Sequence, residues 1–250
     1  NTTASNNTAV GYQAGYSTTS GAINVAVGYQ ALYTNSTGQQ STAIGGAASY
    51  SNTTGSFNAA LGQATLYSNT TGSYNTALGV YALNASTTAS NNTAVGYQAG
   101  WSNTTGTSNV LLGYQALYSN TTASNNTAVG YQAAYTNSTG TITALGSQAG
   151  YANTTGRNTA LGLSAGKNTT TGTYNTSVGD NALLTNISGS YNVALGFQAV
   201  NKSTGDYNTG LGTQALFSNT TASNNTAVGY QAGYSNVNNG QNLVYVGHQA

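Results

Sequence analysis

Very few side chains in this chain could do chemistry. Arg157, Lys167, Lys202, Asp180, Asp206 and His248 are the only residues that carry charge or titrate near neutrality, and the 250 residues include neither Glu nor Cys. Acid–base catalysis needs a base and an acid within hydrogen-bond reach, and glycoside hydrolysis needs two facing carboxyl groups. Asp180 and Asp206 are the sole carboxylates, and each follows a glycine in a turn-forming context (Gly179-Asp180-Asn181, Gly205-Asp206-Tyr207), where Asp is a usual turn residue. Lys202 and Asp206 are near enough in sequence to pair, an exposed contact contributing about 0–1 kcal/mol. His248 fills a position that other parts of the chain give to Tyr, so a structural place in a ladder is expected of it. Gly210-Leu211-Gly212-Thr213-Gln214-Ala215 fits a dinucleotide-binding pattern, but no acidic residue follows about 20 positions on and no helix pattern begins there. Without thiols there is no disulfide and no thiolate metal site, and the glycine- and aspartate-rich calcium nonapeptide is absent. The reading is that the chain is not an enzyme and has no catalytic, cofactor-binding or metal residues.

One modification signal is dense. Asn-x-Ser/Thr sequons occur at Asn35, Asn52, Asn69, Asn103, Asn120, Asn137, Asn153 and Asn219, where attached glycans would line one edge of the molecule. The same residue types are what turns select for backbone reasons.

The element that must position all of these is a repeat. Small-residue stretches end in an aliphatic residue and a glycine at Gly11, Gly28, Gly45, Gly62, Gly79, Gly96, Gly113, Gly130, Gly146, Gly162, Gly179, Gly196, Gly212, Gly229 and Gly247, mostly 17 residues apart, with steps of 16 into Gly146, Gly162 and Gly212 and 18 into Gly247. A fixed period of this length implies a solenoid, because a single unit cannot bury its own apolar face and must stack on its neighbours. The period leaves no place for a linker, so residues 1–250 read as one continuous repeat domain. The shortened steps fall where the formal charges collect, and a deletion is expected in the turn half of the unit, since in a strand it would reverse the side-chain faces.

Counting from each glycine as zero, positions −3 and −1 carry Thr or Val and then Val, Leu or Ile, position +3 is Ala in 14 of 15 units, and +5 is usually Tyr. Alternation of β-branched and aromatic residues at period 2 is a strand signal, and Ser/Thr-Asn-Thr-Thr-Gly-Ser, as at residues 51–56 and 68–73, is a turn. Two strands of about five residues and two turns would fill one coil, and about fifteen coils at about 4.8 Å would extend about 70 Å. On this pattern Val10, Val27, Leu61, Leu78, Val95, Leu112, Val129, Leu161, Val178, Leu195 and Val228 at −1 point into the coil. Ala26, Ala77, Ala94 and Ala128 at −2 then form a flat outer face suited to close approach by a second chain, or relieve crowding at a corner.

Composition excludes several classes of partner. A net charge of +1 cannot hold a polyanion, so no nucleic acid is expected. No run of about 18 apolar residues is present, so no membrane span is expected, and any signal segment has been removed or lies elsewhere. The absence of Pro suits a backbone committed to ladders. Both ends cut through a repeat without a polar capping unit, as in a window on a longer fibre or a subunit that stacks end to end.

The motif Asn-Thr-Ala-Val-Gly-Tyr-Gln-Ala at residues 7–14, 92–99, 126–133 and 225–232, with Asn24-Val25-Ala26-Val27-Gly28 and Asn192-Val193-Ala194-Leu195-Gly196, resembles the head repeats of trimeric autotransporter adhesins and the related repeats of tail-fibre-like proteins. The resemblance covers essentially the whole chain and implies a left-handed parallel β-roll, three chains side by side, and an adhesive or fibrous role at a cell surface. The repeat here is longer than that family's usual unit by a Thr/Asn-rich turn.

Together these readings give an all-β parallel β-solenoid of about 15 coils of 17 residues. The expected function is a structural extracellular fibre or adhesin-type rod without cofactor, whose partners are copies of itself, as a lateral trimer or an end-to-end filament, and a surface receptor or glycan. The alternatives are an ice- or carbohydrate-binding solenoid, for which Thr53, Thr70, Thr104 and Thr121 would have to form a straight exposed row, and a phage-type tail-fibre shaft.

Overall fold

Each repeat leaves only a short run of residues free to be extended. The residue at −5 sits in the left-handed region (Tyr74 φ 59°, Asn91 φ 60°), and the glycine at zero has φ near 130° (Gly79 φ 130°), so the chain can run straight only between them. The computed structural model of this chain describes residues 3–236 and 240–250; Asn1, Thr2 and residues 237–239 lie outside the described residues.

Contacts divide the chain into two compact units, residues 1–126 and 127–250. The first holds β1 (Thr8–Val10), β2 (Val25–Val27), β3 (Thr42–Ile44), β4 (Ala59–Leu61), β5 (Thr76–Leu78), β6 (Thr93–Val95) and β7 (Val110–Leu112). Within it β1 to β7 pair in parallel in sequence order, residue i facing residue i+17, as in Thr76↔Thr93, Ala77↔Ala94 and Leu78↔Val95. The second unit holds β8 (Thr127–Val129), β9 (Ile142–Leu145), β10 (Asn158–Leu161), β11 (Asn175–Val178), β12 (Val193–Leu195), β13 (Thr209–Leu211), β14 (Thr226–Val228) and β15 (Val244–Val246), again paired in parallel and in sequence order. Each unit is an all-β parallel β-solenoid with one coil per repeat, as the glycine period predicts.

The 16-residue steps leave strand register intact, Thr143 pairing with both Thr127 and Thr159. The missing residue comes out of the turn half, as expected. No helix occurs among the described residues, and no helix is long and apolar enough to cross a membrane.

Two expectations are corrected. Each coil has one strand of three or four residues rather than two of about five, because the Ser-Asn-Thr-Thr-Gly half turns continuously and satisfies its N–H groups on the next coil, as in Thr53 N–H to Thr70 O at 2.9 Å and Thr70 N–H to Thr87 O at 2.8 Å. The faces are also inverted. The −2 alanines Ala26, Ala77, Ala94 and Ala128 are buried inside their own coil, whereas of the −1 residues expected there Val10, Leu61, Leu78, Leu112, Leu195 and Val228 are exposed and Val27, Val95, Val129, Leu161 and Val178 are half-buried.

Lumen width is the reason. With a single short strand per coil the interior is too narrow for large side chains at every position, so the alanines at −2 and +3 meet there with one larger residue at +4 (Leu32, Leu66, Leu83, Leu117, Leu183 or Leu216). These leucines hold left-handed φ values near 50°, a conformation costing about 1–2 kcal/mol that burial of the side chain offsets. Where +4 is glycine, a neighbouring coil supplies the volume: a Cβ on Gly100 would meet Leu111 Cδ1 at 2.5 Å and Leu83 Cδ2 at 2.9 Å. The glycine at zero admits no side chain, since a Cβ on Gly28 would lie 2.6 Å from Gly45 O.

Candidate functional site

Inside the coils most buried polar groups are engaged with one another. The asparagine at −4 accepts the main-chain N–H of its counterpart one coil on, as in Asn75 N–H to Asn58 Oδ1 at 2.9 Å, and donates Nδ2 to a turn carbonyl, as in Asn75 to Ala89 O at 2.8 Å. A second buried column stands at +7, where Asn52 Nδ2 donates to Asn35 Oδ1 at 2.8 Å and to Gly55 O at 2.9 Å, and Asn69 Nδ2 to Asn52 Oδ1 at 2.8 Å. The sequon asparagines Asn35, Asn52, Asn69, Asn103, Asn120, Asn137, Asn153 and Asn219 make up this column and are buried. The nitrogen that would carry a glycan is therefore inside the folded coil, and the expectation of glycans lining an outer edge through these residues is corrected. The burial of this column is not legible in the sequence, because Asn in a turn is also explained by backbone conformation alone.

The threonine row is engaged too. Thr53, Thr70 and Thr104 donate Oγ1 to Thr70 O, Thr87 O and Thr121 O at 2.9, 3.0 and 2.8 Å. These hydroxyls are directed along the coil axis and do not form a free row for ordered water.

Tyrosines stack outside. Tyr16, Tyr33, Tyr50 and Tyr67 at +5 form a continuous column with centroid spacings of 5.2, 5.0 and 5.1 Å and interplanar angles of 5°, 4° and 9°. Within a column each ring covers its neighbour's face and presents its edge and hydroxyl outward, which leaves sugar-stacking faces only where a column ends. Partial desolvation in the stack, followed by the neighbouring phenols Tyr33, Tyr67 and Tyr29, raises the pKa of Tyr50 above the ordinary 10.0.

The sparse reactive side chains take ladder places. His248 stacks on Tyr230 at 5.0 Å, in the slot the sequence assigns it. Asp206 accepts the Ser190 N–H at 2.7 Å, replacing the serine of other coils. Lys202 places Nζ 5.0 Å from the Phe217 ring centroid, so the Lys202–Asp206 pair read from the sequence is replaced by these two contacts. Gly210 and Leu211 of the dinucleotide-like pattern lie in β13 and Gly212 in the following turn, with no helix after them. Among the described residues no three His, Cys, Asp or Glu side chains gather as a metal site would require.

What remains available is the outward face of the strands. In the first unit it presents the aliphatic column at −1, with Leu78 45% and Leu112 46% exposed, beside the exposed tyrosines Tyr12, Tyr29, Tyr97 and Tyr114 at +1. No residue of 1–126 carries a charged side chain. Contiguous exposed apolar surface of this kind marks protein contact more often than it marks a free surface. In comparison with known proteins, no family model matches the chain, and neither a curated protein nor a solved structure does so.

Proposed function

We infer that the chain is a structural repeat protein of an extracellular or cell-surface fibre, adhesin stalk or tail-fibre shaft, which assembles laterally with copies of itself. The carrying observation is the outward strand face of the first unit, which bears no charged side chain and whose aliphatic −1 column is exposed or half-buried while nearly every interior polar group is engaged. A flat apolar face with no charge to oppose approach favours association. The resemblance of the Asn-Thr-Ala-Val-Gly-Tyr-Gln-Ala motif to adhesin head repeats supports the same reading. In this reading the lateral contact uses the valines and leucines at −1, since the alanines at −2 from Ala26 onward are covered by their own coil.

Sedimentation of the purified chain tests this. Assemblies are expected at micromolar concentration, and Leu78→Asp with Leu112→Asp should give a folded species of monomer mass. A dispersed monomer of the unaltered chain would refute the reading.

A further inference from the structure

A groove in the second unit breaks the regularity of the repeat. It has a volume of about 420 Å³ and is lined by Arg157, Asn158, Tyr174, Thr143, Thr159 and Thr176 among its neighbours. Its origin is the pair of consecutive 16-residue steps. In a full-length coil the residue at −6 forms a shelf, its N–H donating to the hydroxyl of the same position one coil on, as in Thr173 N–H to Ser190 Oγ at 3.0 Å. The steps into Gly146 and Gly162 omit this residue, since Gly140 and Gly156 are followed directly by Thr141 and Arg157 at −5. Two adjacent coils lose the shelf, and the space opens onto the threonines of β9, β10 and β11.

The groups around that space are complementary to one class of ligand. Arg157 is the only arginine of the chain, it is exposed, and no carboxylate faces it in the groove lining. Tyr174 is the first ring of a three-tyrosine column, stacked on Tyr191 at 5.0 Å, which in turn stacks on Tyr207 at 4.9 Å. Its N–H donates to Arg157 O at 2.6 Å, so its uncovered face is toward the coil that carries Arg157. The column holds the ring in place before any ligand arrives, which reduces the ordering cost of binding. Thr143, Thr159 and Thr176 occupy aligned positions in adjacent strands, giving hydroxyls about 4.8 Å apart that both donate and accept.

We propose that this groove binds an acidic sugar residue of the uronic acid type, its carboxylate paired with the Arg157 guanidinium, one pyranose face on Tyr174 and its hydroxyls on the threonine row. A planar carboxylate matches the guanidinium fork in bidentate fashion, an aromatic face accommodates the C–H face of a sugar, and the volume lies within the range of small-molecule sites. The inference deepens the adhesive side of the proposed function and does not depend on self-association, which is measured separately.

Titration calorimetry with digalacturonic acid, alongside the neutral disaccharide cellobiose and a sulfated, uronate-free galactose disaccharide, tests it. Saturable binding of digalacturonic acid is expected at about millimolar Kd, weakening as salt rises, with cellobiose and the sulfated sugar each at least about tenfold weaker. Arg157→Gln should reduce affinity by about tenfold or more while leaving the melting temperature unchanged, Tyr174→Phe should retain binding, and Tyr174→Ala should lose it. If Tyr174→Ala fails to fold, Arg157→Gln and Tyr174→Phe still decide the matter. Absence of saturable binding, equal binding of cellobiose, tighter binding of the sulfated sugar, or indifference to Arg157→Gln would overturn the proposal. Loss of binding by an otherwise assembling protein would leave the fibre reading standing.

Discussion

At the scale of single residues, stability rests on the two asparagine columns. A buried amide is stable only with its partners present, and leaving one unpaired costs about 1–3 kcal/mol. The +7 column is interrupted at Ser86, and there both Asn69 Oδ1 and Ser86 Oγ are buried without a partner, while Asn103 Nδ2 reaches only Gly106 O. Ser86→Asn would place an Nδ2 against Asn69 Oδ1 and an Oδ1 against Asn103 Nδ2. It should raise stability by about 1–2 kcal/mol, read as a higher midpoint in denaturant with an unchanged slope. The reverse change in an intact stretch, Asn52→Ala, removes the donor to Asn35 and the acceptor for Asn69 and should lower stability by at least about 2 kcal/mol in the same assay.

At the scale of the strand, the inverted faces make a sharp distinction between neighbouring positions. Ala94 at −2 is fully buried, and Leu112 at −1 is exposed. Ala94→Asp places an uncompensated charge in a lumen without room for it and should cost at least about 3 kcal/mol. Leu112→Asp should change stability by about 0.5 kcal/mol or less in unassembled protein. Thermal melts of the two variants at submicromolar concentration check this, and equal destabilisation would contradict the face assignment. The glycine at zero belongs to the same argument: Gly28→Ala combines φ 133° with a Cβ 2.6 Å from Gly45 O, so its main effect is on the closing of the coil.

At the scale of the whole molecule, the scarcity of charge sets the response to pH. With two Asp, no Glu and one His among 250 residues, the melting temperature should be nearly level from mildly acidic to neutral solution. The alkaline side differs because the phenols are stacked. With the folded-state pKa of Tyr50 raised above 10.0, the unfolded chain releases that proton first, and stability falls as pH rises through and beyond that value. Melts between pH 8 and 12 should show this decline, and Tyr50→Phe should make it shallower. An unaltered slope in that variant would assign alkaline unfolding to another group.

Sequence alone determined the solenoid, its coil length and its parallel register, because the glycine at zero is imposed by local backbone geometry and by the approach of the next coil, and both recur at every repeat. It also placed His248 in an aromatic ladder and the one-residue deletions of the 16-residue steps in turns, for the same reason of periodicity. Which face of the strand lies inside was decided only in three dimensions. Hydropathy ranks Val and Leu above Ala, so the pattern directs −1 inward, but in the closed coil it is the −2 slot that meets the +3 and +4 residues across the lumen, so Ala94 and Leu111 are fully buried and Leu112 is left outside. The roles of Asn52 and Asn69 were hidden likewise, since their hydrogen bonds join residues 17 apart and exist only once coils are stacked. The groove at Arg157 depends on a residue missing from two successive turns, a change of length in the sequence that becomes a space only when neighbouring coils surround it.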